Sequence, residues 1–223
     1  MDALARAKKQ FAVIGLGRFG TSVAVTLQML GHEVLAIDSD EDQVQKISDQ
    51  VTHVVQADTT DENSLNALGL RNFDAVVVAI GADVQANVAT TLLLKELGIP
   101  YIIAKARNAL HGKMLEKIGA DRVVYPERDM GQRVAHSLIS SNVLDYIELS
   151  PNLSLVEVTA PGLFIGRTLQ QTNMRALYGV NVVAIKRYEK LIVPPQPEEI
   201  IQECDILIVI GSTEGLQRLE VLG

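Results

Sequence analysis

Three glycines, Gly15, Gly17 and Gly20, stand in the run "IGLGRFG" between a short apolar stretch and a longer amphipathic one. Each has a separate job in chemistry that handles phosphate. The first allows a tight turn, the second lets backbone approach a phosphate, and the third lets helix and strand close up. The helix that starts there would offer free N–H groups and the positive end of its dipole to an anion. Asp38 ends the next apolar run. A carboxylate at that place accepts hydrogen bonds from ribose hydroxyls and repels a 2′-phosphate, which favours an adenine nucleotide other than NADP. Ser39 or Asp40 can cap the helix near 41, which leaves Asp38 free. Arg18, directly after the second glycine, adds a guanidinium where backbone donors already serve a pyrophosphate. It therefore suits a more highly charged phosphate chain, such as a triphosphate.

Asp58 and Thr59 close the third apolar run, in "QADTTDENSL". Asp58 either accepts the exocyclic amine of an adenine or is structural. Thr59 with Glu62 has the spacing of a capping box. Ile80 and Gly81 follow the fourth run and fall on the same rim, where open α/β sheets bind ligands. A dehydrogenase would need a general acid or base on a second domain. Of the four histidines, His32 and His53 fall on the opposite sheet edge, and His111 and His136 lie on predicted helices. No HExxH, GxSxG or Walker A motif occurs. A nucleotide site without adjacent chemistry points to a sensor and not to an enzyme.

Six short apolar runs carry these residues: 11–14, 33–37, 53–57, 74–80, 101–105 and 122–125. Amphipathic stretches at about 21–30, 41–49, 61–68, 84–97 and 109–118 separate them, and Gly31, Gly69, Gly98 and Gly119 follow four of those. Near-continuous apolar strands alternating with helices predict a doubly wound parallel sheet, Rossmann-like, covered on both faces. A helical pattern follows. Met130, Val134, Leu138 and Ile139 share one face, and Val143, Leu144 and Ile147 begin another. A face of that kind needs a partner, and a twin subunit or the chain's own domain would serve. "SPNLS" reads as a linker, and a small βαβββα-like α+β unit ends the chain. The expected divisions are a flexible tail over 1–9, a nucleotide-binding domain over 10–126, a helical crossover or dimerisation segment over 127–149 and a regulatory subdomain over 150–223.

Bulk properties narrow the class. Twenty Lys and Arg against 27 Asp and Glu give a net charge of -7, which argues against nucleic acid as a partner. Cys204 is the single cysteine, so no intrachain disulfide forms, and the expected location is the cytoplasm. The apolar runs are strand-sized, short of the roughly 20 residues that a membrane span needs.

"FAVIGLGRFG", "GHEVLAIDSD", "LLLKELGIP", "LEKIGADRVVYPERDMG" and the tail pattern R-x-x-YG-x-x-VVAI together resemble the RCK (KTN) family. These are the cytosolic gating subunits of Ktr/Trk-type potassium uptake systems, and the likeness leans to the Ktr branch. It implies an RCK-N (TrkA-N) domain followed by an RCK-C (TrkA-C) subdomain, and a homo-oligomer in which dimers assemble into an octameric ring. The ring would dock on a membrane-embedded potassium-translocating subunit (KtrB/TrkH-like), giving a cytoplasmic protein peripherally associated with the membrane. ATP and ADP would compete for the glycine site, with NAD(H) the alternative ligand of the Trk branch. The resemblance assigns the phosphate loop to Gly15, Leu16, Gly17, Arg18, Phe19 and Gly20, with Arg18 on the γ-phosphate. It puts Asp38 and Ser39 at the ribose, Asp58 and Thr59 near the adenine, and Ile80, Gly81 and Lys105 on the rim. Glu127 would meet a cation, Mg or Na, at the γ-phosphate, or else serve as a helix N-terminal carboxylate. Arg175, Asn181, Val182, Val183 and Pro197 match positions for cyclic di-AMP in the C-terminal subdomain.

Overall fold

The computed structural model describes residues 8–139 and 142–222. The chain divides into two compact units after Pro126. In the first, six strands, β1 (Gln10–Ile14), β2 (Glu33–Asp38), β3 (His53–Gln56), β4 (Ala75–Val78), β5 (Ile102–Lys105) and β6 (Arg122–Val124), form one sheet in the order β3-β2-β1-β4-β5-β6. All of its pairings are parallel. The helices α1 (Arg18–Met29), α2 (Glu41–Ile47), α3 (Glu62–Ala67), α4 (Val84–Glu96) and α5 (Ala109–Ile118) connect successive strands. The doubly wound, Rossmann-like fold expected from the sequence is therefore present.

The apolar residues of the strands sort by alternation. Ala12, Ile14, Leu35, Ile37, Val76 and Val78 belong to one core, and Val13, Val34, Ala36 and Val77 to another. Successive side chains of a strand point to opposite faces, so each apolar run feeds both cores. Each fully buried Val, Leu or Ile contributes about 1.5–3 kcal/mol. Gly31, Gly69, Gly98 and Gly119 close four of the helices with φ of 86, 65, 76 and 115°. Residues 1–7 of the expected tail lie outside the described residues. Its last two are tied down: Lys8 pairs with Glu33 at 3.0 Å, and the Lys9 carbonyl accepts the Glu33 N–H at 2.9 Å.

The second unit is an antiparallel sheet, order β10-β9-β11-β8-β7. Its strands are β7 (Val143–Ser150), β8 (Leu153–Thr159), β9 (Val180–Arg187), β10 (Lys190–Ile192) and β11 (Ile206–Gly211), with helices α6 (Pro126–Ile139), α7 (Leu169–Thr172), α8 (Met174–Tyr178) and α9 (Thr213–Glu220). The helical reading of 143–149 was wrong, because that stretch is β7. The register skips between Val143 and Asp145, so Val143 faces Val158 and Tyr146 faces Val156. The residues that suggest one helical face separate on the strand: Val143 and Tyr146 are buried, while Leu144 and Ile147 are exposed. The "SPNLS" linker is likewise the hairpin turn between β7 and β8. Helix α6 packs on β7 through an Arg133–Asp145 ion pair of 2.7 Å and a stacked His136–Tyr146 pair 3.9 Å apart. Met130, Val134 and Leu138 on the same helix are exposed.

Candidate functional site

The glycine loop is built against the end of β4. Gly15 holds φ +91°, and a Cβ there would come within 2.8 Å of the Ile80 nitrogen. A Cβ on Gly20 would overlap the carbonyl oxygen of Gly15, while one on Gly17 would meet nothing within 4 Å. Two of the glycines therefore allow backbone to touch backbone, and the third opens outward. Leu16 is buried in the core beneath. The Thr21 hydroxyl donates to the Leu16 carbonyl at 2.8 Å and fixes the turn.

Asp38 does not stand free. Its Oδ2 accepts the Leu16 N–H at 2.5 Å, and its Oδ1 accepts the Asp40 N–H at 2.9 Å. The carboxylate joins the glycine loop to the start of α2 because it is the nearest acceptor to both amides. Each oxygen keeps one further acceptor position, so Asp38 can hold the loop and still take a hydroxyl. Asp40, and not Ser39, caps α2 by accepting the Asp42 N–H. Ser39 is exposed, and its carbonyl accepts from the Gln56 amide at 3.0 Å.

The α-helices described in this unit start differently. Asp40, Asp61, Asp83 and Asn108 cap α2, α3, α4 and α5 with their own side chains. Gly17 caps α1 with no side chain, and the first turn of α1 has no acidic residue. The N–H groups there keep their donor capacity and the dipole end keeps its positive potential. Arg18, the first residue of α1, is exposed and makes no hydrogen bond or ion pair among the described residues. An anionic group fits this opening.

The ends of β4 and β5 supply the other wall. The Lys105 ammonium lies 5.9 Å from the centre of the Phe19 ring and 3.2 Å from where a Gly81 Cβ would be. The carboxamide of Asn87, on α4, donates to the carbonyls of Ile80 and Lys105 at 2.6 and 3.1 Å. Arg107 reaches the Ala82 carbonyl at 3.3 Å. Asn87 and Arg107 escape sequence reasoning. The one available signal is that Asn87 shares the spacing of Thr90, Thr91 and Leu94, all buried, so a polar residue sits on an inward face. His111 is buried beside them, and its Nδ1 accepts the Arg107 N–H at 3.3 Å. Burial first, then the charge of Arg107, holds the imidazole below its ordinary pKa.

Asp58 is exposed, and its Oδ1 accepts from the hydroxyl and the N–H of Thr60 at 2.6 and 2.9 Å. Those two bonds keep its carboxyl below the usual range. Thr59 forms no capping box. Asp61 caps α3 through Ser64, and the Thr59 hydroxyl is buried against that of Thr90 at 2.9 Å. Asp61 wins because the chain enters the helix two residues later than the spacing implies.

The structure thus gathers Gly15 to Gly20, Asp38, Ile80, Gly81 and Lys105 on one rim. Glu127 lies in the first turn of α6, in the other unit. Among the described residues no group of three or more His, Cys, Asp or Glu side chains forms a metal cluster. Arg175 is on α8, and Asn181, Val182 and Val183 are on β9, where the register with β11 skips at Val183. Pro197 lies in the β10–β11 loop, its carbonyl accepting the Gln170 N–H at 2.9 Å. Arg175, Asn181 and Pro197 are exposed, and no hydrogen bond among the described residues joins them.

Residues 11–126 match the TrkA-N domain and residues 153–222 the TrkA-C domain. Ktr system potassium uptake protein C of Bacillus subtilis is 54% identical over 96% of both chains. Ktr system potassium uptake protein A of the same organism is 50% identical over 95% of this chain and 96% of that one. The crystal structure of the GsuK RCK domain aligns with a TM-score of 0.67 and 22% identity, covering 99% of this chain and 48% of the other. The chain therefore belongs to the RCK family, carrying a TrkA-N domain followed by a TrkA-C domain.

Proposed function

We propose that this chain is the nucleotide-sensing regulatory subunit of a Ktr potassium uptake system. The observation that carries the proposal is the uncapped α1 at the glycine rim, in a chain 54% identical to a Ktr potassium uptake protein over 96% of its length. In this reading the first-turn N–H groups of α1 donate to the phosphates of ATP or ADP. The remaining acceptor positions of Asp38 take the ribose hydroxyls, and Asp58 lies on the adenine side. Arg18 meets the terminal phosphate, and Lys105 adds positive charge from β5. Glu127 joins a cation, Mg or Na, at the γ-phosphate of a neighbouring protomer's site.

The protomers assemble into a ring that docks on a membrane-embedded potassium-translocating subunit. No helix of the described residues is long and apolar enough to cross a membrane, so attachment runs through that partner. Exposed Met130, Val134 and Leu138 of α6 supply apolar surface between protomers. The ring has two shapes, and a nucleotide moves the equilibrium only by its difference in affinity for them. A tenfold preference of ATP for the conducting shape supplies about 1.4 kcal/mol per site. The C-terminal unit receives cyclic di-AMP through Arg175, Asn181, Val182, Val183 and Pro197.

Parallel calorimetric titrations with ATP, ADP, NADH and cyclic di-AMP test this. Tight ATP and ADP binding with weak NADH binding supports it, and a separate cyclic di-AMP site supports the second-messenger part. NADH binding far tighter than ATP would overturn the triphosphate reading and leave Arg18 without its role.

A further inference from the structure

Asn87 belongs to no part of the glycine loop, yet it holds the far wall of the rim together. Its side chain is fully buried, at 0% exposure. The β4–β5 ladder ends at the pair Val78–Ala104. Beyond that pair, the Asn87 amide nitrogen bridges the carbonyls of Ile80 and Lys105. One side chain thus replaces the next rung, at the place where the two strands would otherwise separate. Helix α4 presents it rigidly. The Asn87 N–H donates to the Asp83 carbonyl at 3.1 Å, and the Asn87 carbonyl accepts from the Thr91 hydroxyl at 2.8 Å.

The cost of this arrangement is visible at the other end of the amide. The Oδ1 of Asn87 is buried with no hydrogen-bond partner. Flipping the amide would turn that oxygen toward two carbonyls, so the orientation is fixed by the acceptors. A buried acceptor left unpaired is destabilising, and an apolar side chain on this inward face would avoid it. The reason for an asparagine therefore lies in the two strand ends that its nitrogen connects. One carries Gly81, and the other carries Lys105, whose ammonium crosses the rim between Gly81 and Phe19.

We infer that Asn87 is a positioning residue: it fixes the separation of the β4 and β5 ends and so aims Lys105 at the phosphate position. This rests on the nucleotide reading above. Its effect should be confined to ligands that carry phosphates, and it should pass through Lys105.

The test uses the full chain and calorimetry with ATP and with adenosine. Asn87→Asp keeps the shape and replaces the two donors by acceptors. Asn87→Ala removes the bridge without adding charge and serves if the aspartate variant fails to fold. Each is made alone and in a Lys105→Ala background. The expected result is about tenfold weaker ATP binding with adenosine changed by less than about twofold, and no further loss of ATP affinity once Lys105 is absent, as for a coupled pair. Equal losses for ATP and adenosine, or the same loss with and without Lys105, would reduce Asn87 to a structural residue. A wild-type chain that binds no nucleotide would overturn the site itself, and this inference with it.

Discussion

In the parallel unit, Asp38, Gly81 and Lys105 come from the ends of three strands and open onto one rim beside the glycine loop. In the antiparallel unit, Arg187, Glu199 and Asp205 close on one another. Arg187 donates to both oxygens of Asp205 at 2.8 Å, to Glu199 at 3.0 Å and to the Ile200 carbonyl at 2.9 Å. The densest charge in the second unit is spent on binding β9 to the chain before β11. The contrast follows from topology. Parallel strands all end on the same side, so polar residues after them converge. Antiparallel strands end on alternate sides, and residues at their ends are dispersed unless a side chain ties them.

The largest effect should come from breaking that tie. Asp205 is fully buried, so Arg187→Ala leaves a charge without its partner. The expected loss is about 3–5 kcal/mol of stability in the second unit, read by urea unfolding, with ATP affinity unchanged. A matching loss of ATP affinity would break the contrast between a structural cluster and a ligand rim. pH sharpens the same point. Burial raises the pKa of Asp205, but the bonds from Arg187 and the Gln202 N–H outweigh it, and the net shift is downward. A depressed carboxylate stabilises the fold above its unfolded pKa of about 3.9. That stability is lost as pH falls through the folded value. In Arg187→Ala the sign reverses: buried and left with only the Gln202 N–H, Asp205 should destabilise increasingly as pH rises above about 4.

A smaller effect is expected at the rim. A Cβ on Gly20 would overlap the Gly15 carbonyl, which is backbone and cannot rotate away. Gly20→Ala should push α1 off the loop, cost about 1–3 kcal/mol of stability and abolish measurable ATP binding. Gly17→Ala meets open space and should fold normally, losing affinity only through obstruction of the ligand. If both variants bind ATP like the parent chain, the rim is not the ligand site.

The same contrast explains what the sequence made legible. All six parallel strands are written in the spacing of apolar runs and glycines, because each run needs only its own period. Asp38 and Lys105 could be placed because they end such runs. The role of Asp38 as a tie to Leu16 could not, because it depends on a neighbour across the sheet. Asn87 was hidden because one polar residue in a helical stripe has no signature of its own. Residues 143–149 misled because Val143, Leu144 and Ile147 recur at a helical spacing, although on β7 only Val143 of the three is buried. The Arg187 cluster joins positions 187, 199 and 205 across a long loop, and no local pattern connects them.

Arg18 gives the finest test of the comparison. It is exposed and unpaired among the described residues, unlike Arg187, whose donors are engaged on all sides. Removing it should therefore leave stability within about 0.5 kcal/mol of the parent, and all of its effect should appear in binding. Arg18→Ala should weaken ATP by about tenfold, the scale of one charge-assisted hydrogen bond, and ADP by much less, because only ATP carries the terminal phosphate. Arg18→Lys keeps the charge but loses the planar fork, and should recover part of the affinity. An equal loss for ATP and ADP would move Arg18 from the terminal phosphate to the shared pyrophosphate. The rim would then be selective for adenine nucleotides without distinguishing their length, and the two shapes of the ring would need another group to tell them apart.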